Sequence, residues 1–124
     1  MILVVDDSQD TRDVCRMILE TLGYRVMHAS EGKEAISTAS ANRPDLILMD
    51  LSLPDVDGLV ATAAFRSIST LKDVPIVAMT AYPESLSKDK ALAAGCDAYF
   101  EKPVTMERLN AILHQFARNG HRPN

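Results

Sequence analysis

Five short apolar runs, each followed by a longer amphipathic stretch, constrain the fold more than any other feature of the sequence. The first, third and fourth runs are apolar at nearly every position, which predicts central strands of a parallel sheet buried on both faces. The second run contains Arg25 and His28, and the fifth is bounded by Asp97 and Glu101, so both are predicted to be edge strands. The runs cover residues 2–5, 25–29, 46–49, 74–79 and 98–100.

The stretches between the runs have helical periodicity. The first has Val14, Ile18 and Leu22 on one stripe, with Asp7 or Ser8 available as the cap. The runs end 21 to 30 residues apart, which leaves room for one crossover helix in each connection. Five such units predict an α/β fold: a flavodoxin-like, doubly wound, five-stranded parallel sheet with order 2-1-3-4-5 and five helices. The other helices are predicted over residues 34–41, 59–65, 86–94 and 109–116.

Composition narrows the class of protein. A chain of 124 residues that is 47% apolar fits one domain, predicted over residues 1–118 with a polar tail over 119–124. The net charge of −4 argues against direct binding of nucleic acid. No apolar run reaches the length of a membrane span and no signal peptide is evident, so we expect a cytoplasmic protein without a membrane partner. Cys15 and Cys96 form no metal-binding framework and are expected to be buried.

Acidic residues cluster where the predicted strands end. In an open α/β sheet, ligands bind beyond the carboxyl ends of the strands, at the point where the strand order reverses. Asp6 and Asp7 end the first run, and Asp50 ends the third. Two such carboxylates about 4 Å apart would repel each other by about 4 kcal/mol, so the cluster must bind protons or a cation. Carboxylate oxygens without accompanying His or Cys suit Mg²⁺ or Mn²⁺.

The other strand ends add groups that complement these carboxylates. Lys102 supplies an ammonium and Thr80 a hydroxyl, and together with a metal they could neutralise the oxygens of a phosphoryl group in transfer. A carboxylate can itself accept that group, and Asp50 is the best candidate because it stands alone on the central strand. Taken singly, each residue has a plainer explanation as a helix cap, a turn residue or a surface lysine. Only their joint arrangement favours a phosphoryl-transfer site.

In their order along the chain, five segments resemble the receiver domain of two-component response regulators. The resemblance covers about residues 2–116, and the combination is far more specific than any one segment. The segments are Val4-Val5-Asp6-Asp7, Asp50 with Leu53-Pro54-Asp55-Val56-Asp57-Gly58 after it, Thr80-Ala81, Lys90-Ala91-Leu92-Ala93-Ala94-Gly95-Cys96-Asp97, and Tyr99-Phe100-Glu101-Lys102-Pro103.

The resemblance implies a role for each matching residue. Asp50 would accept the phosphoryl group from a sensor histidine kinase or a histidine phosphotransfer protein. Output would pass to a downstream protein through the face formed by the fourth helix, fifth strand and fifth helix. The domain would promote only its own phosphorylation and dephosphorylation, and is therefore not expected to be an enzyme. The remaining implied roles are metal binding by Asp6, Asp7, Asp50 and the Ser52 carbonyl, phosphoryl contact by Lys102, switching by Thr80 and Tyr99, lifetime tuning by Ser52 and Tyr82, and a cis peptide at Lys102-Pro103.

Three alternatives remain open at this level. The chain could be a receiver excised from a hybrid histidine kinase or from a larger response regulator. It could be a degenerate receiver that takes no phosphate, although such domains lack one of the key residues and none is missing here. A haloacid-dehalogenase-like phosphatase also uses an Asp nucleophile, but that family has a second Asp two places later, where this chain has Ser52.

Overall fold

A computed structural model of the chain describes residues 1–51, 58–81 and 84–117. Strands and helices alternate along the chain, as the sequence pattern predicts. The strands are β1 (Ile2–Val5), β2 (Val26–Ala29), β3 (Leu46–Asp50), β4 (Ile76–Thr80) and β5 (Ala98–Glu101). The helices are α1 (Gln9–Thr21), α2 (Gly32–Ala41), α3 (Gly58–Ser67), α4 (Glu84–Ala94) and α5 (Met106–Ala117).

The strands form one sheet in the order β2-β1-β3-β4-β5. Every neighbouring pair is parallel, and β1 pairs with β3 in the register Val5↔Met49. The predicted fold class and strand order are therefore confirmed. The strand order reverses between β1 and β3, so their carboxyl ends lie side by side at the edge where a ligand is expected.

Each face of the sheet carries its own hydrophobic core. Successive residues of a strand point to opposite faces, so Leu3 and Val5 pack on one side and Ile2 and Val4 on the other. Helices α2, α3 and α4 cover the first face, and α1 and α5 cover the second. The central strands β1, β3 and β4 are buried along their whole length, whereas β2 and β5 are partly exposed, as expected of edge strands.

Two details of the sequence prediction are wrong. Val14 does not lie on the buried stripe of α1: its exposed fraction is 43%, and the buried positions are Cys15 and Leu19. The fourth strand begins at Ile76 rather than at Val74, because the Val74 amide closes a turn onto the Leu71 carbonyl at 3.1 Å. The described part of the chain holds no helix with the length and apolar character that a membrane crossing requires.

Candidate functional site

The carboxyl edge of the sheet brings three predicted site residues together on adjacent strands. Asp6 follows the last residue of β1, Asp50 ends β3, and Thr80 ends β4. All three side chains are buried, unlike most acidic or hydroxyl side chains. Their burial follows from the parallel sheet, whose central strands are covered on both faces as far as the strand ends.

The acidic pair and Asp50 form one cluster. Asp6, Asp7 and Asp50 each present an oxygen, and these oxygens all lie within 4.8 Å of one another. Asp6 Oδ2 is buried, and its partner among the described residues is a cation, the Lys102 ammonium 2.8 Å away. A buried carboxylate oxygen in that position is suited to binding a cation, and an all-oxygen set fits Mg²⁺ or Mn²⁺. The residues present therefore fit the predicted metal.

Lys102 lies between the two buried carboxylates. Its ammonium Nζ is 2.8 Å from Asp6 Oδ2 and 3.6 Å from Asp50 Oδ2. Burial alone would lower the pKa of Lys102, but the hydrogen bond to Asp6 and the negative charges of Asp50 and Asp6 outweigh it and hold the pKa above its ordinary value. Lys102 is therefore a permanent cation at this site.

Main-chain contacts fix where the Lys102 side chain starts. The Lys102 amide donates to the Thr80 carbonyl at 2.7 Å, so the end of β5 is tied to the end of β4. The peptide between Lys102 and Pro103 is cis, as the resemblance predicts. The predicted phosphoryl-binding lysine and the predicted hydroxyl are thus joined through the backbone.

The charges of this site do not balance. The carboxylates of the cluster, when ionised, carry three negative charges, against which Lys102 supplies one positive charge. Two negative charges remain in a partly buried region, where they repel each other more strongly than in water. A divalent cation would offset that excess.

The start of α1 supports the acidic pair. Ser8 caps the helix, since its hydroxyl accepts a hydrogen bond from the Thr11 amide at 3.3 Å. The Ser8 amide donates to Asp6 Oδ1 at 2.9 Å, and Nη1 of Arg12 donates to the Asp6 carbonyl at 2.7 Å. Sequence reasoning found the cap but missed Arg12. The available signal was an arginine six positions after Asp6, one turn into the helix.

Tyr99, the predicted aromatic switch, lies in the middle of β5. It pairs in register with Ala78 and packs, partly buried, against the core formed by α2, α3 and α4. Beside it is a groove of about 490 Å³ whose lining includes Tyr99, Leu92 and Arg108. Ser52 and Tyr82 lie outside the described residues, as does most of the segment that follows Asp50.

Comparison with known proteins identifies the family. The sequence model of the response regulator receiver domain matches residues 2–114, and the chain belongs to this family. The polar-differentiation response regulator DivK of Brucella anthropi is 34% identical over 115 residues, which is 93% of this chain and 94% of that protein.

Solved structures agree with this assignment. The Vibrio cholerae chemotaxis protein CheY4 superposes with a TM-score of 0.87 at 31% identity, covering 93% of this chain and 96% of that one. The receiver domain of a Pseudomonas aeruginosa sensor histidine kinase superposes with a TM-score of 0.86 at 36% identity, covering 93% of this chain and 94% of that one. That structure has a magnesium ion coordinated in its active-site cleft. The protein is a phosphorylation-dependent switch of two-component signalling.

Proposed function

We propose that Asp50 accepts the phosphoryl group, and that a sensor histidine kinase or a histidine phosphotransfer protein donates it. The observation that carries this proposal is the position of Asp50. Its buried carboxylate ends the central strand β3, 3.6 Å from the Lys102 ammonium and in one cluster with the acidic pair. Asp50 is the member of that cluster that stands apart from the pair in sequence and on a different strand.

The chemistry is a transfer between two nucleophiles. An Asp50 carboxylate oxygen attacks phosphorus, a P–O bond forms, and the P–N bond of the phosphohistidine breaks as the imidazole nitrogen takes up a proton. The Lys102 ammonium is within reach of the oxygens of a group held on Asp50, and Thr80 adds a hydroxyl at the neighbouring strand end. Both groups stabilise negative charge that would otherwise oppose the attack.

Asp6, Asp7 and Asp50 would hold Mg²⁺ or Mn²⁺, with the Ser52 carbonyl completing the protein ligands. When bound, the metal supplies positive charge to the phosphoryl oxygens. The same positive charge offsets the repulsion among the three carboxylates. The net excess of two negative charges around Asp50 supports this assignment.

Output would leave through the face formed by α4, β5 and α5. Thr80 and Tyr99 are on adjacent strands. A displacement of Thr80 toward Asp50 would therefore change the packing around Tyr99 and the shape of the groove that Tyr99 lines. A downstream protein that binds there would read the change, and a bias of about 1–3 kcal/mol would suffice. Ser52 and Tyr82 would set how long the phosphoryl group survives.

The domain would catalyse no reaction beyond its own phosphorylation and dephosphorylation. A cytoplasmic location is part of the proposal, and the two free, buried cysteines suit a reducing compartment. A receiver that is part of a hybrid kinase is the second candidate, because receivers of sensor histidine kinases are as similar in structure as stand-alone ones.

A labelling experiment tests the role of Asp50. The protein is incubated with a small acyl phosphate and Mg²⁺, and its mass is measured. We expect a base-labile gain of about 80 Da, one phosphoryl group, mapped to Asp50. Asp50→Asn removes the gain. Asp10→Asn, which changes an exposed carboxylate in the first turn of α1, keeps it. No adduct, or an adduct on a different residue, would refute the proposal.

A further inference from the structure

We propose that Arg12 is a positioning residue for the metal-binding acidic pair. It acts through the Asp6 carbonyl, which it holds so that the Asp7 carboxylate stays within reach of the cation. This inference rests on the proposed function, because it concerns the same metal site, but it assigns a role to a residue outside the ligand set.

Every polar group of Asp6 has a separate anchor. The Asp6 amide donates to the Ala29 carbonyl at 3.1 Å, and Oδ1 accepts from the Ser8 amide at 2.9 Å. Oδ2 faces Lys102 Nζ at 2.8 Å. The carbonyl accepts from Arg12 Nη1 at 2.7 Å. Of these anchors, only Arg12 contacts an atom of the peptide group that joins Asp6 to Asp7, namely the Asp6 carbonyl oxygen.

The planarity of the peptide bond carries this anchor to Asp7. The Asp6 carbonyl, the Asp7 amide and the Asp7 Cα lie in one plane, so fixing the carbonyl oxygen also fixes the direction in which Asp7 begins. Asp7 is exposed, lies two residues beyond the end of β1, and makes no hydrogen bond to the rest of the described chain. Its carboxylate is nevertheless within 4.8 Å of those of Asp6 and Asp50. The Arg12 bond to the Asp6 carbonyl and the Ser8 amide bond to Asp6 Oδ1 bracket Asp7, and of the two donors only Arg12 is a side chain that a substitution can remove.

Helix α1 gives Arg12 a rigid base. The Arg12 amide donates to the Ser8 carbonyl at 3.1 Å, in the first turn of a helix whose start is fixed by the Ser8 cap. Helical side chains lean toward the amino terminus, and this brings the half-buried guanidinium back over the Asp6 carbonyl. Within residues 1–51, 58–81 and 84–117, the guanidinium forms no ion pair with a carboxylate.

The charge of Arg12 and its hydrogen bond have opposite effects on metal binding. A positive charge beside the site repels a divalent cation, so removing the charge alone would tighten binding. The hydrogen bond orders a ligand, so removing it would weaken binding. Outer contacts of metal ligands typically contribute about tenfold or more to affinity. Whether the loss of Arg12 raises or lowers the affinity for the metal therefore identifies which of the two effects is larger.

Mn²⁺ binding measured by electron paramagnetic resonance, at a temperature where every variant is folded, gives the direction of that change. We expect Arg12→Met, which keeps the aliphatic stem but loses the donors, to bind Mn²⁺ about tenfold more weakly. We expect Arg12→Lys, which keeps a donor, to recover most of the affinity. Arg16→Met is the matched control, since Arg16 is one turn further along α1 and, among the residues that the structure describes, pairs only with Asp13, at 3.8 Å. It should bind at least as tightly as the wild type.

The pKa of His28 serves as a check that Arg12→Met and Arg16→Met both remove a positive charge from this region. Burial and then the positive charges of Arg16 and Arg12 lower the pKa of His28, so the NMR titration of His28 should shift upward in both variants. Equal or tighter Mn²⁺ binding by Arg12→Met would overturn the inference, as would a wild type that binds no Mn²⁺. Normal metal binding without a phosphoryl adduct on Asp50 would instead refute the proposed function and leave the Arg12 comparison valid.

Discussion

Arg66, at the end of α3, offers a test of what stabilises the sheet away from the site. Its guanidinium donates to the Lys72 carbonyl at 2.7 Å and to the Val74 carbonyl at 2.8 Å. Nε and Nη2 both donate to the Gly95 carbonyl, at 3.0 and 2.7 Å, and Nη2 also meets Asp97 Oδ2 at 2.7 Å. One side chain thus joins α3, the α3–β4 connection and the α4–β5 turn.

The expected cost of Arg66→Ala follows from these contacts. A hydrogen bond from a charged donor contributes about 1.5–3 kcal/mol. Lys72 is exposed and Gly95 partly exposed, so their carbonyls can bind water once Arg66 is removed, whereas Val74 is buried. The pair with Asp97 is partly exposed and contributes about 1 kcal/mol or less. Because the contacts share one side chain they are not additive, and we expect a loss of about 3 kcal/mol. For a domain of this size that lowers the melting temperature by about 10–15 °C.

Urea unfolding followed by circular dichroism measures this loss, and suits a chain that has no Trp. Arg43→Ala is the control. Within the described residues Arg43 donates a single hydrogen bond, from Nε to the Thr70 carbonyl at 2.8 Å, so its loss should lower the free energy of unfolding by about 1 kcal/mol or less. Phosphoryl uptake by folded Arg66→Ala should match the wild type, since Arg66 contacts the amino end of β4 and Thr80 ends it. A loss no larger than that of Arg43→Ala would refute the reasoning.

The same unfolding assay checks two further predictions. Gly95→Ala should lower the free energy of unfolding more than Gly23→Ala does. Both glycines have a positive φ (+115° and +96°), so alanine at either position is strained by about 1–2 kcal/mol. Only at Gly95 would the new Cβ also contact Arg66 Cγ, at 3.0 Å. Equal losses would contradict the packing argument. Burial and then the charge of Asp6 raise the pKa of Cys15 from 9.0 to about 12. Because the unfolded thiol ionises first, this contribution to stability is complete below pH 9 and falls by about 1.4 kcal/mol per pH unit above it. Cys15→Ala should flatten that decline between pH 9 and 10.5, and an unchanged slope would count against the assignment.

The strands were predictable because apolar runs on a doubly covered parallel sheet are nearly continuous. Leu46–Asp50 is buried at every position, which is the pattern that a central strand covered on both faces requires. The stripe of α1 was less predictable. Val14 and Cys15 are adjacent and both apolar, and sequence alone does not determine which of them faces the sheet. The rotation of the helix is set by the cap at Ser8 and by packing against α5, which periodicity does not encode.

The candidate site likewise has a part that the sequence predicts and a part that it does not. Asp6, Asp50 and Thr80 follow from topology, because parallel strands end at one edge and whatever ends them must meet there. Contacts in which a long side chain reaches a main-chain carbonyl do not follow. Arg12 meets the Asp6 carbonyl, and Arg66 meets three carbonyls across two connections. Carbonyls are identical at every residue, so the sequence marks the donor but not its acceptor.

These two arginines lie toward opposite ends of the sheet, and this separation has a physical basis. The carboxyl edge concentrates like charge around Asp50, which weakens the fold unless a cation or Lys102 offsets it. The amino end carries no such cluster among the described residues, so Arg66 and Asp97 can fix the start of β4 there without constraining Thr80. A signalling switch needs one region that changes conformation and another that stays fixed. In this chain the strand direction separates them: chemistry at the end of β4, and a fixed hydrogen-bonded anchor at its beginning.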